Sequence, residues 1–333
     1  MHSDEESTLY PLLFDPVYKD YLWGGRRIAE TFGRGPETGM CAESWEIADR
    51  PEGTTAVRNG PLAGVPLGEL AARLGPALLG APAPVFPLLI KIIDAHRRLS
   101  VQVHPDAETA AREGGEPKTE MWYVLDAAPD AVVYAGLADG VDRAAFERAL
   151  AEGRPDTVLH AEPARPGTAL FIPGGTVHAI GEGCLLLEVQ QNSNTTYRVD
   201  DWGRVGPDGR PRALHVAEAL ACLDWEAGPV RATEPRRAAG GAGGPNVWRD
   251  LVRCPYFRVR RLDLNAAEEL TSGAGCRVLF AAAGGFAAAG GGRTADCPRG
   301  TTCLLPAGLS ACRLTPLAGA AEVVVVEPDG YIS

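Results

Sequence analysis

A short frame of glycines, a proline and a histidine limits this 333-residue chain more than any other stretch in it. It reads Gly167, five residues, Pro173, one residue, Gly175, two residues, His178. The frame follows a strand end, Leu170-Phe171-Ile172, and leads through a second turn into an apolar strand from Cys184 to Val189. A polar loop then delivers Arg198 just ahead of Trp202. The glycines supply tight turns and the proline fixes the entry to the first one. Turn, histidine, strand and basic loop together read as one wall of a β-barrel pocket. Taken alone, the frame would fit an ordinary hairpin with a surface histidine equally well. It recurs, however, as Gly300, Pro306 and Gly308, with Ala311 where the first copy has His178. That recurrence, after one strand and before the last, favours a second barrel that lacks a metal.

The rest of the chain is strand-rich and carries only short helices. Leu67, Leu70 and Leu74 fall at helical spacing before the Gly75-Pro76 break. Asp106 and Asp142 stand where caps belong for helices running to Arg112 and Leu150, and another helix spans Leu214 to about Leu223. Strands are expected at Phe86 to Ile93, Leu99 to His104, Glu120 to Leu125, Phe257 to Leu264, Cys276 to Ala281 and Val323 to Val326. The glycine-rich stretch 236–246 reads as a linker. It divides a catalytic domain, 1–235, from a C-terminal domain, 247–333.

A formal net charge of −11 argues against nucleic acid or an anionic membrane as the partner. No apolar run is long enough to span a bilayer, and Met1 to Thr8 is polar and acidic, unlike a secretory signal. Eight cysteines without a Cys-x-x-Cys pair point to free thiols in a reducing cytoplasm. Nothing in the glycine- and proline-rich surface reads as a dimer seam, so a monomer or a weak homodimer is expected.

Ligands inside a barrel must come from several strands, and two on one strand must sit two apart to face inward together. Gln102 and His104 meet that condition, Glu120 opens the next strand, and His178 closes the set. Two histidines, a carboxylate and an amide oxygen suit Zn²⁺ with room for a substrate or water. Each residue also has an ordinary reading. His2, His96, His160 and His215 read as hydrogen-bonded structural residues. Gln102 alone would be a surface polar group, Lys118 a solvated loop charge, and Arg198 an ion pair with Asp200 or Asp201. The joint spacing is what shifts the weight.

The frame around His178 resembles the second signature motif of the cupins, small jelly-roll barrels that hold a metal, with Glu182 where that motif usually has Asn. LSVQVHPD (99–106), KTEMWYVL (118–125), FIPGGTVHAIG (171–181) and QQNSNTTYRVDDWGR (190–204) together look like type I mannose-6-phosphate isomerases of the short bacterial form. PVYKDYLWGG (16–25), AESWEIA (42–48) and LVRCPYFRVRRLDL (251–264) fit as well. The resemblance implies a mainly β fold of two cupin-type jelly-roll barrels with a few short helices, the second barrel degenerate and metal-free. It implies a cytoplasmic Zn²⁺ enzyme, with one ion per chain, that interconverts mannose 6-phosphate and fructose 6-phosphate. By motif match the zinc ligands would be Gln102, His104, Glu120 and His178. Arg198 would be catalytic, and Lys91, Ser100 and Lys118 would line the substrate and phosphate pocket, the two lysines able to hold the phosphate as point charges and Lys118 also acting in catalysis. Many relatives have Asp where this chain has Asn194, and Pro117 stands where Gly is usual.

Isomerisation through an enediol(ate) develops negative charge on O1 and O2, which a dication and a guanidinium stabilise. Glu43, Glu182 and a water on the metal all remain open as the base that takes the C2 proton. Two other readings compete. A redox-metal oxygenase would ordinarily use two or three histidines and a carboxylate, against which Gln102 and the Lys118 and Arg198 cations argue. A non-catalytic sugar-phosphate-binding cupin would share the scaffold without the chemistry, and Asn194 is the feature that points to it.

Overall fold

A computed structural model describes residues 9–83, 85–206, 208–233, 235–238 and 244–329. The segment Met1 to Thr8 and much of the expected linker lie outside these residues. The chain forms two compact units, one of 1–17, 45–90 and 234–333, the other of 18–44 and 91–233. Segments 9–17 and 45–90 cluster with the C-terminal segment and not with 91–233. The cause is non-local pairing that composition does not reveal. Strand β1 (Leu12–Asp15) hydrogen-bonds to a strand near the C-terminus through Leu12↔Leu304. The backbone N–H groups of Ala307 and Gly308 also donate to the carbonyls of Leu78 and Ala77. Strands β2 (Glu43–Ile47) and β3 (Leu88–Ala95) carry the chain from one unit into the other.

The 18–44/91–233 unit is a sandwich of two antiparallel layers. One layer runs β8–β5–β10–β3, with β5 (Glu120–Ala127), β8 (Ala169–Ile172) and β10 (Cys184–Gln191). The other runs β7–β6–β9–β4–β11, with β4 (Val101–Val103), β6 (Val132–Leu137), β7 (Leu159–Pro163), β9 (His178–Ile180) and β11 (Tyr197–Asp200). Ile93, Trp122, Val124 and Leu186 of the first layer pack against Val133, Ala135 and Ile180 of the second. The opposite face of the second layer, including Val101 and Val103, is covered by the helices Arg143–Ala151 and Val216–Cys222. Because Val101 and Val103 turn toward those helices, Gln102 between them turns inward. The caps are as expected: the Asp106 and Asp142 carboxylates accept from the N–H groups of Thr109 and Ala145.

The other unit repeats this plan. Its large layer includes the order β18–β15–β20–β13, and its small layer is β17–β16–β19–β14. These strands are β13 (Phe257–Leu264), β14 (Glu268–Thr271), β15 (Arg277–Ala283), β16 (Phe286–Gly290), β17 (Arg293–Cys297), β18 (Thr302–Leu305), β19 (Ala311–Pro316) and β20 (Ala321–Pro328). The repeated sequence frame folds alike in both. Thr176 N–H donates to Pro173 O at 3.1 Å, and Leu309 N–H to Pro306 O at 3.0 Å. Gly167 and Gly300 both have left-handed φ, 86° and 82°. The fold is mainly β, as the resemblance implied. Among the described residues no helix is long and apolar enough to cross a membrane.

Candidate metal centre

Inward positions of the first sandwich are apolar at one end and become polar at the other: Lys91, Gln102, Glu120, Glu188 and Gln190, beside His104 and His178. His104, Glu120 and His178 are essentially buried, and their donor atoms all lie within 4.8 Å of one another. Backbone register places them. His178 opens β9 directly opposite Gln102 of β4, and Glu120 opens β5 opposite Gln190 of β10. The Pro-Gly-Gly turn docks on the same strand end. Gly175 N–H donates to His104 O at 2.8 Å, and Gly175 itself sits at φ 87°. A Cβ on Gly174 would come within 2.7 Å of the Asp106 backbone, which is why the turn needs its first glycine.

Both imidazoles are oriented by the backbone. His104 Nδ1 lies 2.8 Å from Thr195 O and His178 Nδ1 2.8 Å from Thr176 O. A carbonyl only accepts, so each Nδ1 carries the proton and each Nε2 presents a lone pair to the centre. Those two Nε2 atoms each lie 3.4 Å from an oxygen of Glu120. Burial pushes the His104 pKa down to about 3 and also lowers that of His178, so both rings are neutral. Burial would raise Glu120, but the Lys118 ammonium beside it holds it well below the ordinary carboxylate range. Lone pairs facing a carboxylate repel one another unless a cation lies among them. Glu120 Oε1 is moreover buried with no hydrogen-bond partner among the described residues. Lys118 Nζ supplies one positive charge at the rim, 2.6 Å from Glu120 Oε2 and 2.9 Å from His104 Nε2. Gln102 completes the ring, its amide 3.2 Å from His178 Nε2 and its Oε1 accepting from Ser100 Oγ at 3.3 Å. Exchange of the amide O and N would turn an oxygen inward. Two neutral imidazoles, one carboxylate and one amide fit a divalent ion.

The centre opens into a cavity of about 280 Å³ whose wall includes Lys91, Ser100, Gln102, Lys118 and Arg198. The expected ligands Gln102, His104, Glu120 and His178 and the expected pocket residues Lys91, Ser100, Lys118 and Arg198 thus converge on one place. Arg198 lies opposite Gln102 in the β11–β4 register, so the two side chains share a face. Three lining residues had been missed or given an ordinary role. Glu188 pairs with Lys91 at 2.8 Å and accepts from the Trp122 indole at 2.9 Å. Burial raises its pKa, followed by the charge of Glu120. A glutamate in the apolar run Leu185-Leu186-Leu187-Glu188-Val189 was a signal in the sequence. Arg212 and His215, the latter read as structural, also line the cavity, and no local pattern announces them. Glu182, one of the candidate bases, instead lines a separate bay with His96, Arg98 and Trp202, because it sits in the turn leading into β10.

Known proteins place this arrangement. Residues 12–132 match the model of the phosphomannose isomerase type I catalytic domain. Mannose-6-phosphate isomerase ManA of Bacillus subtilis is 36% identical over 265 residues, 79% of this chain and 82% of that protein. The chain belongs to the type I mannose-6-phosphate isomerase family. A second member, from Streptococcus mutans, is 36% identical over 261 residues, 78% of this chain and 81% of its own length. The crystal structure of the Bacillus subtilis mannose 6-phosphate isomerase superposes with a TM-score of 0.84 at 28% identity, covering 95% of this chain and 99% of that one. The apo form from Salmonella typhimurium, at 16% identity and a TM-score of 0.73, shares the fold.

Proposed function

We propose that this chain is a zinc-dependent aldose–ketose isomerase that interconverts mannose 6-phosphate and fructose 6-phosphate by moving a proton between C1 and C2. The observation that carries this reading is the meeting of two pre-oriented neutral histidines, a buried carboxylate and an amide at the mouth of a cationic cavity, in a member of this family. Gln102, His104, Glu120 and His178 would hold the ion. When bound, zinc would supply a fixed double charge that polarises the sugar oxygens.

The remaining work falls to side chains of the chain. Arg198, permanently charged and facing the same side as Gln102, stabilises the enediol(ate) oxygens as charge develops on them. Lys118 adds a second cation at the rim, and Lys91 and Ser100 contact sugar hydroxyls. Glu43 and Glu188 are the carboxylates lining the cavity outside the ligand set, and they stand with a water on the metal as candidates to take the C2 proton. Asn194 does not stand as an isolated replacement of an acid. Its N–H donates to Glu116 Oε2 at 3.1 Å, and the neighbouring Ser193 and Thr195 side chains also bond to Glu116. This lashing supports a loop-positioning role, since the same segment supplies Thr195 O to His104.

The test is an NMR assay of mannose 6-phosphate in D₂O with purified protein, with and without a zinc chelator. Fructose 6-phosphate should form and the chelator should stop it. A folded, zinc-loaded protein that binds the sugar phosphate without converting it would return the reading to a binding cupin.

A further inference from the structure

The two lysines of the cavity have their charges already matched. Lys91 Nζ lies 2.8 Å from Glu188 Oε2 and 3.4 Å from Glu43 Oε1, on a side chain only 9% exposed. Lys118 Nζ lies 2.6 Å from Glu120 Oε2. A phosphate dianion seated on Lys91 would face two buried carboxylates, and drawing Lys91 away would leave one of them uncompensated, which is costly; seated on Lys118 it would face Glu120, the carboxylate assigned to the ion. The opposite balance holds in another part of the same cavity wall. There Arg198, Arg212 and, behind them, Arg204 are grouped around one carboxylate, Asp201.

Arg212 grips Asp201 through Nε at 2.8 Å and Nη2 at 2.5 Å, and Arg204 shares that same carboxylate. The Nη1 of Arg212 has no partner among the described residues. Arg198 donates Nη1 to Ala213 O at 3.0 Å, while its Nε is buried without any partner. The segment is tied together further by His215, whose Nδ1 accepts from the Arg198 N–H and whose own N–H donates to Arg198 O. Burial, and next the charge of Arg212, lower the pKa of Arg198, the mark of guanidiniums with too little negative charge between them. An anion with several acceptor oxygens relieves that excess, and a guanidinium suits phosphate better than an ammonium does.

We propose that Arg212, held in place by Asp201, anchors the phosphate of the substrate, so that selectivity for the phosphorylated sugar resides in the 198–215 segment and not in Lys91 or Lys118. The proposal rests on the isomerase reading and deepens it. It leaves Arg198 between the metal ligands and the phosphate, and it explains why both lysines are sequestered by carboxylates.

The experiment compares zinc-loaded wild type with Arg212→Gln and Arg212→Lys, using mannose 6-phosphate turnover and inhibition by inorganic phosphate. Gln keeps a hydrogen bond toward Asp201, and Arg204 still neutralises that carboxylate, so folding is expected to survive; melting and zinc content check it. Arg212→Gln should raise KM about 30-fold and weaken phosphate inhibition in parallel, with kcat within about threefold, the pattern of a lost charge-assisted contact made equally in ground and transition states. Arg212→Lys should fall between the two. An unchanged KM and unchanged phosphate inhibition, or a fall in kcat alone, would overturn the assignment. If wild type shows no turnover, the isomerase reading fails on its own. Calorimetric titration of wild type and Arg212→Gln with inorganic phosphate then still decides, equal affinity sinking the anchor and weaker affinity in the variant upholding it.

Discussion

Glu120, His104 and His178 each prepare the others for a cation. The histidines are neutral because they are buried, Glu120 is charged because the Lys118 ammonium stands beside it, and the backbone aims both lone pairs inward. A pH signature follows. A histidine whose folded pKa lies below its unfolded value costs stability as pH falls through the unfolded pKa, since the unfolded state then binds the extra proton. The depressed Glu120 acts in the same direction, its contribution being lost as pH falls from the ordinary carboxylate value toward its folded one. Metal-free protein should therefore lose roughly 3 kcal/mol of stability through His104 alone between pH 6.5 and 4. Urea titrations across that range should show the slope, and His104→Asn should flatten it. The roles of ligand and charge stabiliser separate cleanly. His178→Ala should lose bound zinc by elemental analysis, whereas Arg198→Ala should keep zinc and lose about 10²–10³ in kcat. Retained turnover in Arg198→Ala would remove its assigned role. The convergence of Gln102, His104, Glu120 and His178 was legible in the sequence because spacing on a strand dictates which side chains share a face. Arg212 and His215 were not, because their position depends on how a loop returns to β11, which no local pattern encodes.

At the level of elements, the Pro-Gly-Gly turn is the joint that brings one ligand strand to another. Gly175 bonds to the His104 carbonyl, Thr176 fixes the His178 tautomer, and Gly174 N–H donates to Thr119 Oγ1 at 3.2 Å beside Glu120. Gly174→Ala should thus act on the metal site and on stability together. Its Cβ would meet the Asp106 backbone, so a loss of about 1–3 kcal/mol is expected in urea unfolding, with weaker zinc retention in competition against a chelator. Wild-type zinc affinity with lowered stability would show that the turn and the site are uncoupled. The capped helices beginning after Asp106 and Asp142 could be read because a side chain announces each start. Helix α1 (Arg27–Phe32) was missed for the opposite reason: it is six residues long and has no side-chain cap.

Across the whole molecule, one β plan is used twice, and among the described residues the cluster that could hold a metal ion lies in the first copy. The repeat was legible from glycine and proline spacing, whereas the allotment of 45–90 to the C-terminal unit was not. In the second copy, register places Thr271, Gly273, Arg277 and Ala311 where the first has Gln102, His104, Glu120 and His178. Arg277 donates Nη1 to Thr271 O at 2.8 Å and bonds Glu327 through Nε at 3.1 Å. A Cβ at Gly273 would lie 2.7 Å from its Nη2, so the residue matching His104 has no side chain to offer. Hydrogen exchange should separate the copies. Zinc should slow exchange at 100–104, 118–122 and 176–180 and leave 277–283 and 302–305 unchanged. Equal slowing in both would contradict a single site.

Arg277 also bears on how such a chain fares when metal is scarce. A guanidinium bonded to the chain can be neither chelated nor exchanged for a competing ion. On the metal-dependent reading proposed above, scarcity of the ion would bear on the first barrel, while Arg277 would tie the second together without one.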